Sequence, residues 1–543
     1  MFADARPRKM NPSDYRRDYA AYRSTVERAL YERRAGLSPR LELRPVEERY
    51  SGLWTRESIE DLRRAHDETN EQFETERAGL QALAGAASLK HAESRASEVT
   101  GELRRCEESA RVTWDGERRP ASEVPDALAF ERDAGRRREL ARRRLDASSA
   151  CDDLRAARLE ALGEAARSLG FDGRGALYES FAGVSLEALA SAADSFLRRT
   201  ESAYMSRLAE WAARELPARA PSSNTSSTAA GVAPDYADAF FFERSTRFDE
   251  RLPAQDFRAL YTEALAGLGV RVESQQNLHV EDARQTGVRD GQPDALDERL
   301  GSRADSACFA TRPPDDVRLV IGSGEGGLDF QRRSLREGGR AQVFAWASRD
   351  TAARHPEFVY ATDAATEGGD ALLFSSLLAE ASWLSGRRGM RATEAVEAAR
   401  ASALIELYEA RRDCARLRHA LALDASGDAR SEQLAEEYAS RFTEATGFRH
   451  DAASRLLDAD EWFASATRLR ARLFSAGLRE HLRSRHGRHW FASRSAGDEL
   501  IDVWNTASRY RAEELARLLW GGDLSFDLLA DSSLEDVEGG EGV

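Results

Sequence analysis

Leu335-Arg336-Glu337-Gly338-Gly339-Arg340-Ala341-Gln342-Val343-Phe344, with Gly326-Gly327-Leu328-Asp329-Phe330 just before it, is the stretch whose reading decides the fold. Read as a helix, it stacks Arg336 and Arg340 one turn apart on one face with Glu337 beside them, because residues at i and i+4 are neighbours. The run from Val343 to Trp346 is apolar, so one side of this helix is expected to be buried. Gly338 and Gly339 each cost about 1 kcal/mol in mid-helix relative to alanine. Side by side, they predict that another part of the chain passes close to the backbone there.

The spacing is that of the zinc-peptidase pattern H-E-x-x-H, with arginine in both histidine positions. In that pattern two imidazoles hold Zn²⁺, and the glutamate acts as general base on the metal-bound water. Arginine cannot take over the ligand role, because its guanidinium stays protonated and offers no lone pair. Taken alone, R-E-x-x-R also describes an ordinary charged helix face, so the weight falls on what surrounds it.

After the helix come His355-Pro356-Glu357-Phe358 and then Ala364-Ala365-Thr366-Glu367-Gly368-Gly369, which opens the apolar run Ala371-Leu372-Leu373-Phe374. Together these resemble the zinc metallopeptidases of the oligoendopeptidase and thimet oligopeptidase type, which are gluzincins. The bacterial branch they are most similar to has a core reading approximately G-G-x-D-Y, H-E-x-G-H, P-x-E-F, then T-E. Upstream, Gln275 to Asp282, Ala307 to Ala310 and Pro313 to Val317 resemble the strands and turn that precede the motif helix. Downstream, Leu457 to Asp460, the segment around Leu478 to Leu482, and Trp490 to Ser493 resemble the closing helices. The likeness runs from near Asp14 to near Leu529 and is most specific between Gln275 and Leu378.

The resemblance implies that Arg336 and Arg340 stand at the histidine-ligand positions, Glu337 at the catalytic-base position and Glu367 at the glutamate-ligand position. Two of three protein ligands are then gone, so the zinc expected of the family is expected to be lost, with no other cofactor, and Glu337 is expected to be vestigial. The two arginines bring positive charge to Glu337 and Glu367, and at least one arginine–carboxylate pair is expected to replace the metal as the link between the two helices. The family's Y-L-R-A-W-like stretch corresponds to Arg468-Leu469-Arg470-Ala471-Arg472, which makes Arg468 a cleft candidate. His279, in an expected strand beside the cleft, is another.

The fold expected from this reading is mostly α: a large two-lobed helical metallopeptidase-like fold with a small β-sheet beside the central cleft. The expected function is that of a catalytically degenerate peptidase that binds a peptide or a protein partner in the cleft. Two alternatives stay open: an active peptide hydrolase with an atypical metal site and Glu337 as base, and a helical scaffold that binds nothing.

Bulk properties exclude other classes. The chain has 543 residues, 41% hydrophobic and 32% charged, enough to bury a large core and stay soluble. Its formal net charge of -15 argues against nucleic acid as a partner, which needs a basic surface. Cys106, Cys151, Cys308 and Cys414 lie far apart without a C-x-x-C pair, so neither a disulfide framework nor a cysteine zinc site is indicated. The sequence has no apolar run long enough to span a bilayer and no apolar leader-like start, which leads us to expect a cytoplasmic protein without membrane contact. His481, His486 and His489 read as surface histidines. No G-x-S-x-G accompanies a Ser-His-Asp set, and Cys308 has no visible activating base.

Along the chain, residues 1–216 read as an N-terminal helical lobe, in which Arg136 to Arg144 is a solvated face. Residues 217–234, rich in Pro, Ser, Thr, Ala and Gly, read as a flexible linker and lobe boundary. Residues 235–529 read as a catalytic-like lobe with strands at Val270–Val272 and Val317–Ile321 and helices at Phe257–Leu268, Thr393–Leu423 and Ser431–Thr446. Residues 530–543 read as a disordered acidic tail.

Overall fold

The computed structural model describes residues 10–216, 233–283, 304–361, 364–388 and 390–539. The chain is mostly helical, as expected, and its helices carry the end signals that elementary capping requires. The first, Pro12–Arg34, begins with the Asn11 side chain accepting from the Ser13 amide, has Pro12 and Asp14 in its first turn, and ends on Arg33 and Arg34. Glu432–Thr446 is stopped by Gly447 in the left-handed conformation.

A hairpin pairs β1 (Arg111–Trp114) with β2 (Glu117–Pro120). The second sheet consists of β3 (Leu278–Asp282), β4 (Ala307–Arg312) and β5 (Asp316–Ile321) in the order β3-β5-β4. β3 runs parallel to β5, with Leu278 opposite Val317, and β4 runs antiparallel to it. Alternate side chains of a strand face opposite ways, and both faces of this sheet are used. Ala307, Phe309 and Val320 join a core with Tyr15, Tyr22 and Leu83 of the N-terminal helices. Cys308, Ala310, Val317 and Leu319 join the larger core with Leu335 and Tyr261. The sheet is thus a partition between the first helix and the motif helix.

The motif helix spans Gly327–Trp346 and lies along the helix Ala365–Ser376, which in turn lies along Ala464–His486. Glycines set these distances. A Cβ at Gly338 would come within 2.6 Å of the Tyr261 ring, whose hydroxyl donates to the Gly338 carbonyl at 2.9 Å. A Cβ at Gly339 would meet Phe374 at 2.9 Å and the Cα of Ala371 at 3.0 Å, and one at Gly369 would meet Phe474 at 2.5 Å. The helix-weakening glycines are therefore the price of close approach between four helices, Tyr261 belonging to Phe257–Gly267.

Several sequence expectations need correction. Val270–Val272 is not a strand; Val272–Ser274 is a short 3₁₀ turn. Most of the expected linker lies outside the described residues, but the helix before it, Leu186–Glu215, packs Phe196, Tyr204 and Trp211 into the same core as the later helices, so the core does not divide there. The expected disordered tail is largely the helix Phe526–Glu538, held by buried Leu529, Ala530 and Val537 and by Asp536 on Arg479; residues 540–543 lie outside the described residues. Arg136 to Arg144 is not wholly solvated either. Arg137 is fully buried, its Nε and Nη2 donate to Asp238 at 2.9 and 2.6 Å, and its guanidinium lies over Phe241. Cys106 and Cys151 form a disulfide, because the helices Ser97–Ser109 and Asp152–Ser168 run side by side and bring their Cα atoms to 5.9 Å. Cys308 and Cys414 are buried free thiols.

Gly339→Ala gains about 1 kcal/mol of helix propensity but forces the motif helix off the Ala371 backbone, and a net loss of roughly 1–3 kcal/mol is expected in urea unfolding. A variant more stable than the parent would contradict this packing.

Candidate functional site

The motif helix points Arg336, Glu337 and Arg340 toward the helices beyond it, and Ala365–Ser376 contributes Glu367 from its first turn. The structure separates the two arginines. Arg340 is the one that meets both site carboxylates: its Nη1 lies 3.4 Å from both oxygens of Glu337, and its Nη2 donates to Glu367 Oε1 at 3.1 Å. Glu337 Oε2 also accepts from the Cys308 amide of β4 at 2.8 Å, which ties the helix to the sheet. Glu337 and then Glu367 push the Arg340 guanidinium's pKa up. Burial raises the Glu367 carboxyl above its ordinary range, and the opposing pull of Arg340 does not cancel it.

Arg336 turns elsewhere, contrary to the expectation that both arginines face Glu337 and Glu367. Its Nη2 donates to Glu406 Oε1 at 2.6 Å and Glu409 Oε2 at 2.8 Å, and its Nε to Ser375 Oγ at 3.3 Å. Glu406 and Glu409 sit one turn apart on the long helix Ala392–Ser426. Two more arginines close on the same pair. Arg332 Nη2 donates to Glu406 at 2.8 Å and Glu409 at 3.0 Å, and Arg472 Nη1 and Nη2 reach Glu406 and Glu409 at 2.8 Å each. Burial alone would raise the Glu406 carboxyl, but Arg332 and Arg336 overcome it and hold it at about 2; the same two arginines hold Glu409 well below its ordinary range. Each carboxylate with a depressed pKa stabilises the fold above the unfolded value near 4.5, and that stability drains away as pH falls toward the folded value.

Arg468, the expected cleft arginine, is one turn short of this cluster. It binds Asp413, with Nη2 at 2.7 Å from Oδ1, and 42% of its side chain is exposed. Arg470, between them, pairs with Glu513. His279 lies on β3 with 41% of its side chain exposed and Nε2 3.7 Å from Asp316.

Sequence reading thus found Arg336, Glu337, Arg340 and Glu367, but missed Arg332, Arg472 and the two glutamates that organise the centre. The available signal was Glu406-x-x-Glu409 on an otherwise Ala- and Leu-rich helix, where two carboxylates on one face need cationic partners. Counted together, Arg332, Arg336, Arg340, Arg468 and Arg472 are matched by Glu337, Glu367, Glu406, Glu409 and Asp413, so the ensemble is formally neutral.

A zinc ion, which this fold implies, does not fit these residues. Two of the three family ligand positions carry guanidinium groups without a lone pair, and the third, Glu367, is engaged by Arg340. Among the described residues no group of three or more His, Cys, Asp or Glu side chains is arranged to hold a metal.

No family model matches the chain, and no curated protein matches it. Solved structures do. A Pyrococcus furiosus carboxypeptidase is 12% identical with a TM-score of 0.56, covering 97% of this chain and 99% of its own. PZ peptidase A, solved with an inhibitor, is 11% identical with a TM-score of 0.61, covering 99% of this chain and 98% of its own. A protein assigned as oligoendopeptidase F is 12% identical with a TM-score of 0.61, covering 99% of this chain and 97% of its own. The chain therefore shares the overall fold of these carboxypeptidase and peptidase structures over nearly its whole length. No helix among the described residues is long and apolar enough to cross a membrane.

Because three guanidinium groups share Glu406 and Glu409, the two members of the cluster are unequal. Glu409→Gln leaves three cations on one carboxylate and is expected to cost roughly 3–5 kcal/mol, whereas Arg472→Met leaves a matched set and is expected to cost roughly half as much. Denaturant titration of both variants at pH 7 checks the order; equal losses would contradict it.

Proposed function

We propose that this chain is a degenerate member of the metallopeptidase fold whose zinc site has been given over to arginine–carboxylate pairing, and that it binds a peptide or a protein partner in the cleft without cleaving it by metal chemistry. The observation that carries the reading is Arg340, whose guanidinium lies against both Glu337 and Glu367. A cation between the two carboxylates supplies the neutralisation a metal would give, but it polarises no carbonyl as a Lewis acid and activates no water. Glu337, taken up by Arg340 and the Cys308 amide, is poorly placed to serve as a general base.

The paired state of the arginines shapes the kind of ligand. A cleft of free guanidinium groups would favour an acidic peptide, whereas here each site arginine already has a carboxylate. The more open Arg468 and His279 are the side chains proposed to reach a bound chain. The same neutrality supports a second reading, a scaffold that binds nothing. Cytoplasmic residence remains part of the proposal.

The test is fluorescence polarisation with labelled ten- to fifteen-residue peptide pools, run with added Zn²⁺ and with chelator, and mass spectrometry of the peptides afterwards. Binding insensitive to zinc, weakened about tenfold by Arg468→Glu (a loss of about 1.4 kcal/mol), with every peptide recovered intact, is expected. Zinc-dependent cleavage would overturn the reading, and intact peptides without binding would leave the scaffold in its place.

A further inference from the structure

Outside the cleft, a cavity of about 510 Å³ opens between the helices Arg494–Asn505 and Ala512–Trp520 and the end of Ala464–His486. Its wall contains Ser495, His486 and Glu499, of which the sequence singled out only His486, as a surface histidine. Ser495 Oγ lies 3.1 Å from His486 Nδ1, and His486 Nε2 lies 2.6 Å from Glu499 Oε2. An ionised carboxylate only accepts hydrogen bonds, so Nε2 carries a proton, and when the ring is neutral its Nδ1 lone pair faces the Ser495 hydroxyl. Glu499 is kept in its ionised form: burial would raise its carboxyl, but hydrogen bonds from His481 and His486 draw it below its ordinary range. His481 Nε2 lies 2.8 Å from the other oxygen, Oε1, so the acid is oriented from both sides.

We propose that Ser495, His486 and Glu499 form a second, metal-independent site that hydrolyses small apolar carboxylic esters through an acyl-serine. A serine touching a histidine on a protein surface is ordinary. Three further observations set this pair apart. The His486 side chain is only 10% exposed and its tautomer is fixed, while Ser495 is exposed to solvent. Ser495 is the second residue of its helix, and the side chain of the capping residue Ser493 caps none of the first-turn amides; its hydroxyl lies 2.9 Å from Ser495 Oγ instead. The Ser493 side chain thus leaves the first-turn amides uncapped, and their proposed role is to stabilise an oxyanion. The remaining wall has a polar side, with Arg485, Asp498, Asp502 and Thr506, and an apolar side of Val503, Leu515 and Leu519, with Leu518 unusually open for its type at 64% exposure. The ring is used in reverse of the usual serine-protease order, with Nδ1 toward the nucleophile and Nε2 toward the acid; the proton path is the same in either direction.

The step balances without a co-reactant beyond water. Ser495 Oγ attacks the ester carbonyl as its proton passes to His486 Nδ1, and collapse of the tetrahedral intermediate breaks the acyl–oxygen bond while His486 returns that proton to the leaving alcohol. Water, deprotonated by the same Nδ1, then attacks the acyl carbon; the acyl–Oγ bond breaks, His486 returns the proton to Ser495 Oγ, and the carboxylic acid leaves. Ser495 and His486 are the catalytic residues, and Glu499 is a positioning residue. Val503, Leu515 and Leu519 suit a short aliphatic acyl chain.

The experiment is labelling of the purified full chain, in chelator, with an alkyl fluorophosphonate, followed by peptide mapping, alongside hydrolysis of p-nitrophenyl butyrate. Ser495 is expected to label at least tenfold faster than any other serine, to lose that preference in His486→Gln, and ester hydrolysis is expected to disappear in Ser495→Ala, an exposed site where folding is not at stake. Glu499→Gln is expected to lower kinact at least tenfold with KI unchanged, a split that simple loss of packing would not give. No labelling, labelling spread evenly over the serines, or Ser495 labelling undiminished by His486→Gln would each overturn the assignment.

Discussion

A guanidinium taken out of water must be met by carboxylates, and the centre of this molecule is built to satisfy that demand. Arg332 is 1% exposed, and Arg472 is nearly as deep. An unpaired charge at such a depth would cost several kcal/mol. Glu406 and Glu409 answer it from the long helix, and with Arg336 they bind the motif helix, the long helix and the helix Ala464–His486 into one assembly. Arg340 extends the pairing to Glu337 and Glu367 and so reaches the fourth helix and, through the Cys308 amide, the sheet. Charge pairing here adds a fixed set of polar links between elements that also pack through a large apolar core, among them Leu335, Phe374, Leu407 and Phe474.

The difference from a zinc site lies in what the centre can do next. A metal site keeps an open coordination position, and chemistry happens there. A guanidinium offers no such position, and each site arginine is engaged by acids of the same chain. A shared fold is by itself a poor witness to shared activity. As a group, these arginines and acids carry no net formal charge.

Much of this was legible in the sequence. The sequence marked Arg336, Glu337, Arg340 and Glu367, of which the structure brings Arg340, Glu337 and Glu367 together, and its two adjacent glycines predicted a close approach to the motif helix backbone. What was hidden has a physical reason in each case. Arg336 and Arg340 share a face, yet a long flexible side chain can swing to whichever acid is nearer, and the acids Glu406 and Glu409 belong to a helix whose periodicity alone gives no sign of its neighbours. Arg137 looked solvated because six of the eight other residues in its run are charged, while its partner Asp238 lies about a hundred positions away. The Cys106–Cys151 bridge and the Ser495–His486–Glu499 arrangement likewise depend on tertiary placement; Glu499 and Ser495 are one helical turn apart, but His486 arrives from another helix across a glycine turn. The acidic C-terminal segment looked solvated by composition, yet three apolar residues at helical spacing were enough to dock it.

The central claim, that arginine has taken the place of the metal, is tested most directly by metal content per chain, measured by plasma mass spectrometry on protein purified without chelator or histidine tag. The account predicts zinc at background level, unchanged after incubation with excess Zn²⁺ and desalting. Zinc at about one per chain, removed by Glu367→Ala, would contradict it, because it would require ligands that take the place of Arg336 and Arg340.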